Sequence, residues 1–421
     1  MIIGVLGSGG REHAICYTLK KSKKINKIYC FPGNAGTAEI AENIDIDIND
    51  FNKLKNFILK NKIDLIIIGP EKPLVDGIVD FLEKNNIKTF GPNKIASQLE
   101  GSKIFTKKLC EKYNIPTAKF GIFHNADEAN LFLINAKFPL VIKADGLASG
   151  KGVYICENNE QAKTSIREIF DGKFGLAKNI LIEEFLDGEE MSYFIISDGK
   201  TIKSFQTAQD HKRVLEGDKG KNTGGMGAYS PSRLINKTLE KKILNKIIKP
   251  TIKGLNDIKC EYKGFLYAGL MIVNNKPYLI EYNVRMGDPE CQTILPKLQT
   301  DLLDIIIACC SKNLSKLEVK WHNKKSLCIV VCASGYPDVY KKNSPIDNIN
   351  KIKLNNEEFL FHAGTKKINN KVKSSGGRVL NLVILSNDFK KGREKIINII
   401  KDLNWPDGFF RKDIGYKAID K

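Results

Sequence analysis

Residues 141–155, "VIKADGLASGKGVYI", set two apolar runs around the bend "ADGLASGKG". Val141, Ile142, Val153 and Ile155 are β-branched and suit a pleated surface, so the pattern predicts a β-hairpin. Gly146, Gly150 and Gly152 let backbone amides come close to a ligand, and a run of such amides suits phosphate oxygens. Lys143 and Lys151 add positive charge. Two readings stand open: a glycine-rich phosphate cradle, or a surface hairpin whose lysines sit in water.

The bulk numbers frame that choice. A chain of 421 residues is long enough for about three domains with ample core. No apolar run approaches the ~20 residues that cross a bilayer, so no membrane partner is expected. The chain opens on "MIIGVLGSGG", a strand and a glycine turn, where a signal or transit peptide would place charge or a longer apolar run. The expected location is therefore cytoplasmic. The 10 cysteines never form C-x-x-C, and the groupings Cys309/Cys310 and Cys328/Cys332 lack zinc spacing. Reduced core thiols and no structural metal are expected. Lys+Arg 67 against Asp+Glu 48 gives a net charge of +19, which raises nucleic-acid binding. Yet the lysines are spread throughout, and no basic block is interleaved with stacking aromatics. A bias toward Lys, Asn and Ile accounts for the charge, so no nucleic-acid partner is expected.

Residues 1–101 alternate strand and helix: "MIIGVLG", "REHAICYTLKKS", "KIYCFPG", "FNKLKNFILKNK", "IDLIIIGP", "VDGIVDFLEKNN" as one helix, then "IKTFGP". The rhythm predicts an open parallel sheet with ligands at the carboxyl ends of its strands. Gly7 and Gly9 begin a G-x-G-x-x-G pattern, but Glu12 holds the third glycine position, so the dinucleotide fingerprint fails. A phosphate on the amides of this helix start, aided by Arg11, is still expected. Residues 102–320 form a second region. It opens with a helix that stops before Pro116, continues through the hairpin region at about 120–188, and reaches "GFLYAGLMIVNNKPYLIEYNVRMGDPE", with "NN" as a hairpin turn. Residues 321–421 read as a small α/β cap. The predicted class is α/β and α+β, multidomain.

Two stretches carry chemistry. "ILIEEFLDGEEMS" ends a strand at Glu183 and turns to Glu190; taken alone, these are solvated carboxylates, whereas near a nucleotide they would serve adenine and ribose. In "LIEYNVRMGDPE", Glu281 and Asn283 stand two apart on a strand and share a face. Mg²⁺ takes hard oxygen ligands, few of them from protein, and Arg285 extends the row with a fork suited to phosphoryl oxygens. An exposed polar strand face is the alternative. The combination with Lys103, Lys143 and the glycine hairpin favours the metal.

The ordered set "GREHA", "PGNAGT", "GPEKPLVDG", "EGSK", "IKADGLASGKGV", "EEFLDGEEMS", "AQDHKR", "NTGGMGAYSP", "EYNVRMGDPE", "HAGT" and "GGRVLNL" resembles the phosphoribosylamine–glycine ligase family of purine biosynthesis, from residue 4 to about 416. The resemblance implies an ATP-grasp fold, in which a strand-rich lid and the metal strand enclose ATP; the opening hairpin becomes the lid loop over the phosphates. It implies ATP contacts from Lys103, Lys143, Ser149, Gly150, Lys151, Gly152, Glu183, Phe185, Leu186 and Glu190. Glu281 and Asn283 would bind Mg²⁺, or Mn²⁺ in its place. Arg285, Asp210 and Lys212 would face the reacting groups. Substrate contacts would come from Gly9, Gly10, Arg11, Glu12, Asn34, Gly36, Thr37, Glu71, Asp76, Thr223, Gly224, Gly225, Gly287 and Asp288. His211 reads as an acid/base or as a positioning group, with positioning favoured. The implied partners are glycine, 5-phosphoribosylamine and ATP, with a monomer expected. Lys221 stands where relatives usually have proline, and Met286 where an aromatic is common. The chain ends after the cap, so no fused later-pathway enzyme is expected. Rival readings are another ATP-grasp carboxylate–amine ligase, which would lack "GREHA" and "PGNAGT", a basic nucleic-acid-binding protein, and a nicotinamide-dependent oxidoreductase.

Overall fold

The computed structural model describes residues 1–147, 152–175 and 177–419. The expected parallel sheet is present at the N-terminus, in the order Glu42–Asn43, Lys27–Pro32, Ile2–Gly7, Leu65–Ile68 and Thr89–Phe90. Its central strands are apolar on both faces because helices cover both, so Ile3, Val5, Leu6, Ile66 and Ile67 are all buried. The helix predicted over "VDGIVDFLEKNN" is two helices, Glu71–Asp76 and Ile78–Lys84. Gly77 lies between them at φ +96°, a left-handed conformation that ends the first and turns the chain into the second.

The hairpin region is a four-stranded antiparallel sheet in the order Phe120–Phe123, Ile180–Glu184, Leu140–Ala144, Val153–Cys156. Alternation sends Leu140, Ile142, Ile180 and Ile182 into a core of their own with Ile166 and Ile169 of the helix Asn159–Phe170. Lys143 lies opposite Val153, as the hairpin reading requires. Ser149, Gly150 and Lys151 of the bend lie outside the described residues.

A nine-stranded antiparallel sheet forms the centre of the molecule. It runs from Lys276–Asn283 at one edge through Lys263–Val273, Glu189–Asp198, Ile202–Asp210 and Gly227–Ser230, then into Lys325–Ala333, Arg378–Ser386 and Glu358–His362, with the short ninth strand Gly408–Phe409 also paired to Lys325–Ala333. Asn274 and Asn275, at φ 48° and 57°, make the tight turn read from "NN". The strands read as a separate cap thus continue this sheet, joined where Gly227–Ser230 pairs with Lys325–Ala333. Their buried residues Val330, Leu382 and Phe361 belong to the same core as Ile3 and Val5.

Candidate active site

Glu281 and Asn283 lie near the end of the edge strand Lys276–Asn283, opposite Gly269 and Tyr267. Both side chains are half-buried. Among the described residues, neither forms a hydrogen bond or an ion pair, although the Glu281 carboxylate lies within the electrostatic reach of Lys103 and Lys212. Two uncommitted oxygen donors on one face suit a hard divalent cation.

Arg285 continues the row but is already held. Its Nε lies 3.2 Å from Glu71 Oε2 and its NH2 group 2.7 Å from Glu100 Oε1. Glu100 also accepts the Val284 amide at 2.8 Å. Arg285 drives the Glu71 carboxyl down to about 2, whereas burial pushes Glu100 up to about 7 against the pull of the same guanidinium. Glu100 escaped the sequence reading, although "EGSK" contains it.

On the lid side, Lys143 Nζ lies 2.9 Å from Glu183 Oε2, and Lys107 Nζ lies 3.3 Å from Oε1. All three are buried. Burial alone would raise Glu183; the two ammonium groups outweigh it and hold the carboxylate below its usual range. Lys107 was missed, though its spacing of four from Lys103 in the helix Lys103–Lys112 puts both on one face. Lys103 donates to the Gly146 carbonyl at 2.9 Å, tying that helix to the hairpin bend, and burial lowers its pKa. Phe185 is exposed beside the half-buried Leu186.

Across the cleft, Lys212 pairs with Glu190. Desolvation, reinforced by Glu290 and Glu190, pushes Asp210 up to about 7 against the attraction of Lys212. Glu290 is itself buried and raised by desolvation, and it accepts from Ser192 Oγ at 3.4 Å. It too was passed over, inside "GDPE". The 223–225 turn is tied to Lys212, whose carbonyl accepts both the amide and the hydroxyl of Thr223 at 2.8 Å. Gly225 sits at φ +112°, where a side chain would be strained and would press on Pro289. Arg378 clamps this turn to the neighbouring loop: its NH1 donates to the carbonyls of Gly224 and Asp288, and its NH2 lies 3.3 Å from Asp288 Oδ1. "GGRVLNL" held that arginine without revealing its partners. Gly287 packs on Glu290, leaving no room for a Cβ.

The N-terminal turn is bonded to the protein's own carboxylates. Glu12 Oε2 accepts the Gly9 amide at 2.7 Å, and Asp288 Oδ2 accepts the Arg11 amide at 3.2 Å. Arg11 is buried, paired with Glu12 and donating to the Met286 carbonyl. Carboxylates of the protein thus accept from two of the amides at the helix start on which a phosphate is expected. Gly69 makes room for the Glu12 carboxylate, since a Cβ there would meet its Oε1 at 2.1 Å. Gly10 packs against Asn381, where a Cβ would lie 2.4 Å from its Nδ2. Asn34 is spent on structure: its Oδ1 accepts from Gly36 and Thr37, and its Nδ2 donates to the carbonyls of Ser8, Gly9 and His362. Thr37 is fully buried and bonds Asn43. Asp76 is exposed and pairs with Lys72, with no hydrogen bond or ion pair to the Glu71–Arg285 cluster.

Comparison with known proteins bears on what this cleft serves. Family models of phosphoribosylglycinamide synthetase match the chain as an N domain over residues 1–100, an ATP-grasp (A) domain over 101–291 and a C domain over 326–417. The chain is 42% identical to phosphoribosylamine–glycine ligase of Brucella melitensis, covering 100% of this chain and 99% of the relative. The chain belongs to the phosphoribosylamine–glycine ligase family. Another family member, from Caldanaerobacter subterraneus, is 44% identical over 98% of this chain and 99% of its own length. The crystal structure of the Thermotoga maritima phosphoribosylamine–glycine ligase matches with a TM-score of 0.86 at 32% identity, covering 98% of this chain and 100% of that one. The ATP-grasp fold extends further, to a biotin carboxylase domain of Hydrogenobacter thermophilus in complex with MgADP. That match has a TM-score of 0.73 at 15% identity and covers 95% of this chain and 89% of that one. The family implies ATP as co-substrate and a divalent metal, and Glu281 with Asn283 supplies a fitting donor pair.

Proposed function

We propose that this chain joins glycine to 5-phosphoribosylamine with cleavage of ATP to ADP and phosphate, giving glycinamide ribonucleotide in purine biosynthesis. The observation that carries this reading is a full-length family match whose cleft presents two uncommitted oxygen donors, Glu281 and Asn283, beside Lys103 and Lys212. ATP lies between the lid and the edge strand, with Lys103, Lys143 and the hairpin bend on its phosphates and the 183–190 segment on adenine and ribose. Glu281 and Asn283 hold Mg²⁺, for which Mn²⁺ can substitute; when bound, the cation neutralises charge on the phosphates.

A carboxylate is a poor acyl donor, so an oxygen of glycine first attacks the γ-phosphorus and ADP leaves. The amine nitrogen of phosphoribosylamine then attacks the carbonyl carbon of glycyl phosphate, the C–O bond to phosphate breaks, and the nitrogen gives up a proton. Phosphoryl transfer of this kind needs positioning and charge neutralisation more than a protein nucleophile. Lys212 and Arg285 supply the positive charge. Asp210, at about 7, is tuned to accept the proton from nitrogen near neutral pH. His211 positions, since its Nε2 already accepts the Gly415 amide at 3.0 Å. The three family-matched regions act as a substrate domain, an ATP-binding domain with its lid, and a cap, in a cytoplasmic monomer. The test is a coupled ADP assay with glycine and freshly generated phosphoribosylamine. ADP release that requires glycine supports the reading; AMP and pyrophosphate, or ADP release indifferent to glycine, overturns it.

A further inference from the structure

Alternation along the chain divides the loop after the strand Ile202–Asp210 into two faces. Asp210 and Lys212 point to the cleft, where Lys212 meets Glu190, while His211 points the other way, into the C-terminal segment. Beyond it, the hairpin of strands Arg213–Leu215 and Lys219–Asn222 carries Asp218 at its bend, at φ +54°. That bend is fastened to residues almost 200 positions away. Asp218 Oδ1 lies 2.8 Å from Arg411 and 3.5 Å from His211 Nδ1, and Oδ2 lies 2.7 Å from Lys417 and 3.0 Å from the Tyr416 hydroxyl. Hydrogen bonds from His211, Lys417 and Arg411 outweigh its desolvation and hold its carboxyl far below the usual range.

Arg411 is the centre of the fastening. Its side chain is 1% exposed, yet each guanidinium nitrogen has a partner. Nε and NH2 bond Asp413 at 2.8 and 2.6 Å, and NH1 bonds both Asp218 and the Arg213 carbonyl, at 2.8 and 2.9 Å. The Gly217 amide adds a bond to Asp413 Oδ2 at 2.8 Å, and the Lys412 amide one to Glu216 at 3.1 Å. A buried ionic cluster is a costly way to gain stability alone, because desolvation consumes much of the Coulombic attraction; its attested use is to fix one register. Here the register at stake is that of His211, and through the backbone that of Asp210 and Lys212 on either side of it.

We propose that Arg411 is a positioning residue for the ligase reaction, acting through Asp218 and His211 to hold Asp210 and Lys212 at the reacting groups. The inference rests on the assignment of Asp210 and Lys212 to the reaction. It makes the C-terminal segment a working part of the cleft: displacement of reacting groups by about 1 Å costs on the order of 100-fold in rate.

The experiment compares Arg411→Met, Arg411→Lys, Asp218→Asn and Lys212→Met in the full chain, reading kcat, the KM for Mg-ATP and hydrogen exchange. Expected for Arg411→Met is a fall in kcat of tenfold to about 100-fold with the KM for ATP within twofold, since the lid is untouched. Exchange should quicken at 211–222, and Arg411→Lys should recover part of kcat by keeping the charge. Asp218→Asn, nearly isosteric, should lower kcat in the same way and guards against an Arg411 variant that fails to fold. Normal kcat in folded Arg411→Met or Asp218→Asn, with Lys212→Met inactive, overturns the positioning role alone. Normal kcat in Lys212→Met overturns the assignment beneath it.

Discussion

Replacing Glu183 by glutamine tests the electrostatics of the lid directly. The carboxylate is 4% exposed and sits between Lys143 at 2.9 Å and Lys107 at 3.3 Å. Glutamine keeps the shape and one acceptor oxygen but leaves two buried ammonium groups without an anion. Breaking a buried pair from one side costs ~3–5 kcal/mol, because the remaining charge stays desolvated. Lys107 is already lowered by burial and would shed its proton more readily, so the lower end, about 3 kcal/mol, is the expectation. The chain has several regions, so a single melting temperature would blur a local effect. Hydrogen exchange on strands Leu140–Ala144 and Ile180–Glu184 reads it locally, and a loss of about 3 kcal/mol means opening more frequent by roughly 100-fold. Lys107→Met combined with Glu183→Gln should recover part of the loss by removing one stranded charge. Exchange unchanged within a factor of two in the single variant would refute the reasoning.

Glu281→Gln should lower ADP release by about two orders of magnitude and raise the magnesium concentration needed, with folding intact by thermal melting; a normal rate and magnesium dependence would place the metal elsewhere. Asp210→Asn should abolish a rise of kcat with pH centred near 7, because the carboxyl must be ionised to take a proton; survival of that limb would remove Asp210 from the role. Burial, aided for His13 by His362, holds the His13 imidazole near about 3 and the His362 imidazole near about 4. Below the ordinary value near 6.5 the unfolded chain binds more protons, so these groups make stability fall as pH drops from 6.5 toward 4. His13 Nδ1 accepts the His362 amide at 2.8 Å, a bond an asparagine oxygen can replace. His13→Asn should therefore shrink the stability difference between pH 7 and pH 5, and an unaltered difference would count against a neutral His13.

What could be read from the sequence was whatever repeats locally. Period-two runs marked the hairpin at Lys143 and the row Glu281, Asn283, Arg285, and the glycine turns marked the strand ends of the first sheet. The same local signal concealed the break at Gly77, where apolar spacing runs on but the backbone goes left-handed. Glu100, Glu290 and Arg378 could not be found that way, because each is defined by a partner far along the chain; the helical spacing of Lys107 from Lys103 was visible, but its pairing with Glu183 was not. Arg378 acquires its role only when the central sheet continues into the C-terminal strands and brings it to Gly224 and Asp288. Glu12 shows the converse: its mismatch with a glycine fingerprint was visible, yet the outcome, a carboxylate seated on the Gly9 amide, depends on the space left by Gly69.

The central claim is that glycine is activated by phosphorylation at its carboxylate before nitrogen attacks. Glycine labelled with oxygen-18 in both carboxyl oxygens, turned over once with ATP and phosphoribosylamine, tests it most directly. The account predicts phosphate carrying one labelled oxygen, the atom that bridged carbon and phosphorus, and ADP free of label. Unlabelled phosphate, or label appearing in AMP, would contradict it.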